Sequence, residues 1–297
     1  MTTTHLDTAW GALSQPVHVD AAGPADPTWK DNAYLSFWDV ERRTFGSFHV
    51  STSPNALAGR RARCSLQLPD GRLVEIVEDL DPGTFASRSI SFGLDGVVTV
   101  AHPDLTARFV NVPLHTAADY SATDLIPALV AGQPLQHFQQ GCAVSGSFES
   151  SGQQWLVDGF GMRDRTWGFR DETAQWIEYA GLVGVFDGVF ITAMKFLSAD
   201  GSLKADGFLI DATGSHRITA IALRRTAAAQ FLRATLTLVD GSSRVVALVD
   251  RVAGFFVPMG AETDGPAFGA HDDFMLLELD GSAGGGFLEQ GILHRVC

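Results

Sequence analysis

The chain has 297 residues, 45% hydrophobic and 19% charged, with 21 basic against 34 acidic side chains and a net charge of −13. This composition excludes a wholly disordered chain, and the acidic balance opposes binding to nucleic-acid backbones or anionic membrane surfaces. The length suits two domains of roughly 100–150 residues, and no apolar run reaches the ~18–20 residues of a spanning helix.

Residues 1–28, with Pro16, Pro24 and Pro27, read as an irregular lead-in. The start, MTTTHLDTAWGALSQPV, lacks the basic region and apolar core of a signal peptide. From residue 29 onward, short runs rich in Val, Ile, Phe, Thr and Leu alternate with turns. The turns are Asp70-Gly71, Asp95-Gly96, Asp187-Gly188, Asp200-Gly201 and Asp240-Gly241. Asp-Gly between apolar runs is a hairpin signal, because both residues tolerate the positive φ of a tight turn. The runs Arg63–Leu68 and Arg72–Glu78 flank one such turn, and Gln230–Val239 and Ser243–Val249 flank another. Hairpins recurring over almost the whole chain predict a large all-β antiparallel protein whose strands close or stack to protect their edges. Residues 113–134, with three prolines, read as a loop with a short helix, and Pro258–His271 as a second loop. The expected division is a lead-in (1–28), an N-terminal β domain (29–150) and a C-terminal β domain (151–297).

Cys64, Cys142 and Cys297 are an odd, sparse set without Cys-x-x-Cys spacing. Neither a disulfide framework nor a structural zinc site is expected, and a cytoplasmic location follows. His271-Asp272-Asp273 lacks a partner at metal-site spacing, so no metal is expected. Gly284-Gly285-Gly286 precedes no lysine and is not a phosphate loop, and Gly-x-Ser-x-Gly is absent. No cofactor is expected.

The densest chemistry lies at Leu156–Asp171, LVDGFGMRDRTWGFRD. On a strand, Asp158, Phe160, Met162 and Asp164 share one face, with Arg163 and Arg165 on the other. Gly159 and Gly161 leave that second face nearly bare, so another backbone can approach. Arginine neighbours would keep Asp164 ionised, whereas walls of Phe, Met and Trp would raise its pKa and let it donate a proton. The alternative is an Arg–Asp network that pins a β-corner around Trp167. Four further residues draw attention. His137 opens a strand that leads toward the motif, and His294 lies near the end of the chain. Trp176 and Glu178 alternate on the strand after the motif, where Glu178 faces either a cavity or solvent.

The string DGFGMRDRTWGFRD resembles the G-x-G-x-R-D-H-S-W-G-x-R signature of a tandem bacterial group. That group is related to the hydroxyneurosporene synthase (carotenoid 1,2-hydratase)/AttH-like, lipocalin-like superfamily. Asn32–Asp39, His137–Gln140 with Val144–Phe148, and Gly286–Gly291 resemble its other strands. The resemblance implies two lipocalin-like β-barrel halves in tandem around a hydrophobic cavity. It also implies chemistry on apolar polyenes and isoprenoids, such as hydration or cyclisation. The chain departs from the group at Arg165, where the group carries His, and at Thr166, where it carries Ser.

The combined expectation is a cofactor-independent acid–base enzyme for an isoprenoid, terpenoid or similar apolar small molecule. It would be a hydratase or dehydratase, an isomerase or a cyclase. Asp164 is the expected proton donor, with Asp158, Glu178 and His137 as further catalytic candidates. Trp167, Trp176, Phe160 and Met162 would wall the substrate, because aromatic faces stabilise a cation in a dry pocket. Arg163 and Arg170 would orient the carboxylates. A non-catalytic carrier or sensor of a hydrophobic ligand is the alternative, distinguished by apolar walls without carboxylates.

Overall fold

The computed structural model describes residues 9–56, 60–258 and 267–294. Contacts divide the chain into two compact units. One extends to Ser121 and resumes over Val130–Arg170; the other comprises Ala122–Leu129 and the chain from Asp171 on.

The first unit contains β1 (Trp29–Asp39), β2 (Thr44–Thr52), β3 (Arg61–Gln67), β4 (Leu73–Asp79) and β5 (Ile90–Phe92). They are followed by β6 (Val97–His102), β7 (Leu105–Pro113), β8 (Ala118–Asp119), β9 (Gln136–Ser150) and β10 (Gln153–Phe169). The sheet order is β4-β3-β2-β1-β10-β9-β7-β6-β5, with β8 paired to β9. Period-two alternation places Leu35, Phe37, Phe48, Cys64, Phe109 and Phe148 in one buried cluster. Glu78 of β4 accepts hydrogen bonds from Ser87 and Ser89, which lie just before β5, and so ties the two ends of the sheet together. The lead-in joins the same cluster through Trp10 and through Leu13 of a 3-10 turn, Gly11–Ser14.

The second unit begins with a four-residue helix, α1 (Glu172–Gln175). Its strands are β11 (Trp176–Phe186), β12 (Val189–Ser198), β13 (Leu203–Asp211) and β14 (Gly214–Arg225). They continue as β15 (Phe231–Leu238), β16 (Ser243–Pro258), β17 (Ala267–Leu279) and β18 (Ser282–His294). The eight form a closed antiparallel barrel, because β11 pairs with both β12 and β18. Leu182, Ile191, Phe231, Leu236, Met275 and Leu288 help fill its interior. The all-β, tandem-barrel reading agrees with this architecture. No helix among the described residues is long and apolar enough to cross a membrane.

Three local expectations need revision. The expected boundary at 150/151 falls at the tip of the β9–β10 hairpin, where Gln153 pairs with Ser150. Strand β10 pairs along its length with β9 and β1, so the division comes after Arg170. Residues 113–134 contain no helix: Ala118 and Asp119 pair with Gln139 and Phe138 of β9 instead. A helix of one or two turns is marginal by itself, and ladder hydrogen bonds to an adjacent strand win. Of the expected loop 258–271, residues 267–271 belong to β17 and 259–266 lie outside the described residues.

Candidate active site

Strand β10 presents two chemically different faces. On one, Asp164 stands directly across from Gln139 of β9 and Tyr34 of β1. The row continues through His49 of β2 to Arg63 of β3. A second row, one pleat along, holds His137, Thr166, Asn32 and Ser51. Residues i and i+2 of a strand share a face, so His137 and Gln139 both reach the carboxylate.

His137 Nε2 lies 2.6 Å from Asp164 Oδ2, which also accepts from the Gln139 amide at 2.8 Å. Thr166 Oγ1 donates to the other carboxylate oxygen at 2.8 Å. Burial pushes the Asp164 carboxyl up, but His137 and the three hydrogen bonds outweigh it and hold the group below the usual carboxylate range. Asp164 is therefore ionised near neutral pH and accepts protons in hydrogen bonds rather than donating them. It also selects the His137 tautomer that carries hydrogen on Nε2. The opposite ring nitrogen, Nδ1, is buried and has no hydrogen-bond partner among the described residues. The Tyr120 ring stacks on His137 with centroids 5.1 Å apart. Pairing of β8 with β9 brings Tyr120 there, and the Tyr120 amide donates to the His137 carbonyl at 2.9 Å.

His49 lies two strands from Asp164 in the same row, beyond Tyr34. Burial, then the charges of Arg63 and Arg170, push its pKa down to about 3 against the opposing pull of Asp164, so it is neutral at physiological pH. Its ring meets Tyr34 edge-on at 6.1 Å. Arg170 donates to the Asn32 amide oxygen at 3.0 Å, while the Asn32 amide nitrogen donates to Ser51 at 2.7 Å.

The other face of β10 is structural. Arg163, pushed down to about 10 by burial and still charged, donates to Asn111 Oδ1 at 3.2 Å and the Gly93 carbonyl at 3.1 Å. Its guanidinium lies between the Trp10 and Phe92 rings, at 4.6 and 4.7 Å. Arg165 pairs with buried Asp31 and caps the Asn32, Gln15 and Pro16 carbonyls. Trp167 stacks on His18 at 5.0 Å and Phe138 at 5.4 Å. The expected placement of Trp167 beside Asp164, and of Arg163 as a carboxylate-orienting group, is thus corrected: odd-numbered residues of β10 point away from Asp164.

Asp158 and Phe160 share the Asp164 face but are exposed, and six residues of strand put Asp158 roughly 20 Å from Asp164. Met162 is buried on that face, opposite Ser36 and Gly141. Glu178 and Trp176 belong to the second unit, on β11, where Trp176 packs edge-on against Phe196 at 5.6 Å. The side chain of His294 lies outside the described residues. Among the described residues no group of three or more His, Cys, Asp or Glu could hold a metal ion. Sequence reading assigns no site role to Gln139, Tyr120, Tyr34, His49 or Arg63, although Gln139 and Tyr34 fall in the strands that carry the resemblance. Gln139 was detectable as the i+2 neighbour of His137; the others depend on strand pairing.

The fold is shared with three solved structures. The AttH-like protein NE1406 of Nitrosomonas europaea is 17% identical with a TM-score of 0.63, covering 93% of this chain and 96% of its own. CghA is 11% identical with a TM-score of 0.58, covering 91% of this chain and 89% of its own. Kievitone hydratase from Nectria haematococca is 12% identical with a TM-score of 0.54, covering 98% of this chain and 94% of its own. No curated protein matches the sequence. A family model described as a domain of unknown function (DUF7064) matches residues 17–291.

Proposed function

We propose that this chain, which belongs to the DUF7064 family, is an acid–base enzyme that moves protons on an apolar small molecule through His137 and Asp164. The observation that carries the reading is the buried, unpartnered Nδ1 of a histidine whose other nitrogen is held by an ionised carboxylate. Such a histidine takes a proton at Nδ1 and returns it at the same atom, as hydration, dehydration, isomerisation and proton-initiated cyclisation require. In hydration, Nδ1 gives a proton to one alkene carbon, water adds to the other, and the proton lost from that water returns to Nδ1. Asp164 stays ionised throughout and stabilises the imidazolium. The expected role of Asp164 as donor thus passes to His137, with Asp164 as its positioning partner. Neutral His49 and Tyr34 offer hydrogen bonds beside the pair.

The substrate class in this proposal is an isoprenoid, terpenoid or similarly apolar molecule, with no cofactor. The structural likeness to a protein named as a hydratase supports the reaction class by analogy of fold. The test is incubation of the purified protein in D2O with a panel of prenylated phenols and tertiary isoprenoid alcohols, followed by mass spectrometry. Deuterium should enter carbon positions with the wild type and not with His137→Gln. Equal incorporation by the two would overturn the proposal. Absence of incorporation, together with an apolar molecule retained in native mass spectrometry, would favour a carrier instead.

A further inference from the structure

The closed barrel carries charged side chains that the His137–Asp164 pair does not use. The β13–β14 ladder runs from Asp211↔Gly214 to Gly207↔Ile218 and goes no further. A bulge between Ile218 and Ala220 lies just beyond, on the side of β14 that pairs with β15. Residues 203–206 of β13 and 219–225 of β14 therefore flank a gap in the ladder. Lys195 of β12 donates across it to the Ile221 carbonyl at 3.2 Å. A pocket of about 290 Å³ opens here, lined by Glu178, Lys195, Leu197, Leu203, Leu223 and Arg225, among others.

The Arg225 side chain makes no hydrogen bond or ion pair among the described residues, although its Nε is buried. Lys195 has only a carbonyl partner. Taking the Arg225 Nε–H out of water without a partner is unfavourable, so the guanidinium is poised for an acceptor. The pocket holds two cations and one carboxylate, a local excess of one positive charge on a chain of net charge −13. Leu197 and Leu203, directly opposite each other, and Leu223 form its apolar side.

We propose that this pocket binds a small monoanionic amphiphile, its carboxylate against Arg225 and Lys195 and its apolar body over Leu197, Leu203 and Leu223. A planar carboxylate matches the guanidinium fork. A dianion such as a phosphate monoester would leave one negative charge facing Glu178 without a cation. The volume, at the lower edge of the ~300–1,000 Å³ usual for ligand sites, limits the occupant to a short chain or compact ring system.

Calorimetric titration of the full chain with decanoate and with decanol tests the proposal. Decanoate should bind one to one, and decanol about ten-fold more weakly. Arg225→Gln and Lys195→Gln should each weaken decanoate about ten-fold while leaving decanol unchanged. Leu203→Trp, at a 62% exposed position, should weaken both ligands and keeps the test decisive should the charge variants not fold. Failure of decanoate to bind the wild type, equal affinity for acid and alcohol, or indifference of decanoate binding to the substitutions that fold would overturn it.

Discussion

At Asp164, burial pushes the carboxyl up, and the charge of His137 together with three hydrogen bonds pulls it below its usual range. The substitution Asp164→Asn removes the charge that selects the His137 tautomer and stabilises its protonated ring. In the proposed reaction, turnover should fall by roughly 100-fold or more, the usual scale for disabling a positioned acid–base group. The melting temperature should move little, because the amide still pairs with Thr166 and His137. A melting temperature that collapses while specific activity survives would make Asp164 a structural residue instead. His49 contributes a loss of stability in mild acid. Its folded pKa, about 3, lies below the value of about 6.5 it has when unfolded. Between those values the unfolded chain binds a proton that the folded chain refuses, so stability falls as pH drops from about 6.5 toward 3. Asp164, with its folded pKa below the unfolded value, adds a loss only below about pH 4. Urea unfolding at pH 7, 6 and 5 should show a declining free energy, and His49→Gln should flatten the decline. An unchanged slope in that variant would refute the assignment.

At the level of the element, β10 separates chemistry from architecture by alternation alone. Its even residues carry Asp164 and Thr166, while its odd residues hold the sheet and the lead-in together through Arg163 and Arg165. Asp31 is fully buried and depends on Arg165 and His18. Arg165→Leu should therefore destabilise the protein by about 3–5 kcal/mol, the cost of stranding a buried charge, whereas Asp164→Asn should not. Chemical denaturation of the two variants side by side checks this. The glycines of the same strand have a different cause. A Cβ on Gly159 would lie 2.3 Å from the Trp38 carbonyl oxygen, and one on Gly161 would lie 2.5 Å from that of Ser36. Close approach of β1 requires both, so Gly159→Ala should cost about 1–3 kcal/mol, as overpacking does. A neutral effect would mean that β1 can shift without loss.

For the whole molecule, exhaustive dialysis against a chelator should leave the melting temperature unchanged, because no metal-holding group occurs among the described residues. A drop would place a metal in the folding equilibrium. The antiparallel hairpins were legible in the chain, because turn chemistry and period-two alternation are local properties: Asp70-Gly71 and Asp240-Gly241 announce their turns to any reader of residues. So was the two-faced character of the segment around Asp164. The choice of neighbours was not legible. Pairing of β10 with β1 joins Asp164 to Tyr34, and the next ladder brings His49, which no local pattern connects with either. Pairing of β11 with β18 closes one sheet into a barrel, whereas the first sheet ends at β4 and β5. The sequence by itself determined strands, turns, faces and the density of charge in the motif. Only the tertiary structure decided which strands meet, that Asp164 hydrogen-bonds His137 rather than an arginine, and that the units divide after Arg170. The reason is physical: alternation and turns depend on neighbours along the chain, but register depends on which distant strands bury each other's apolar faces.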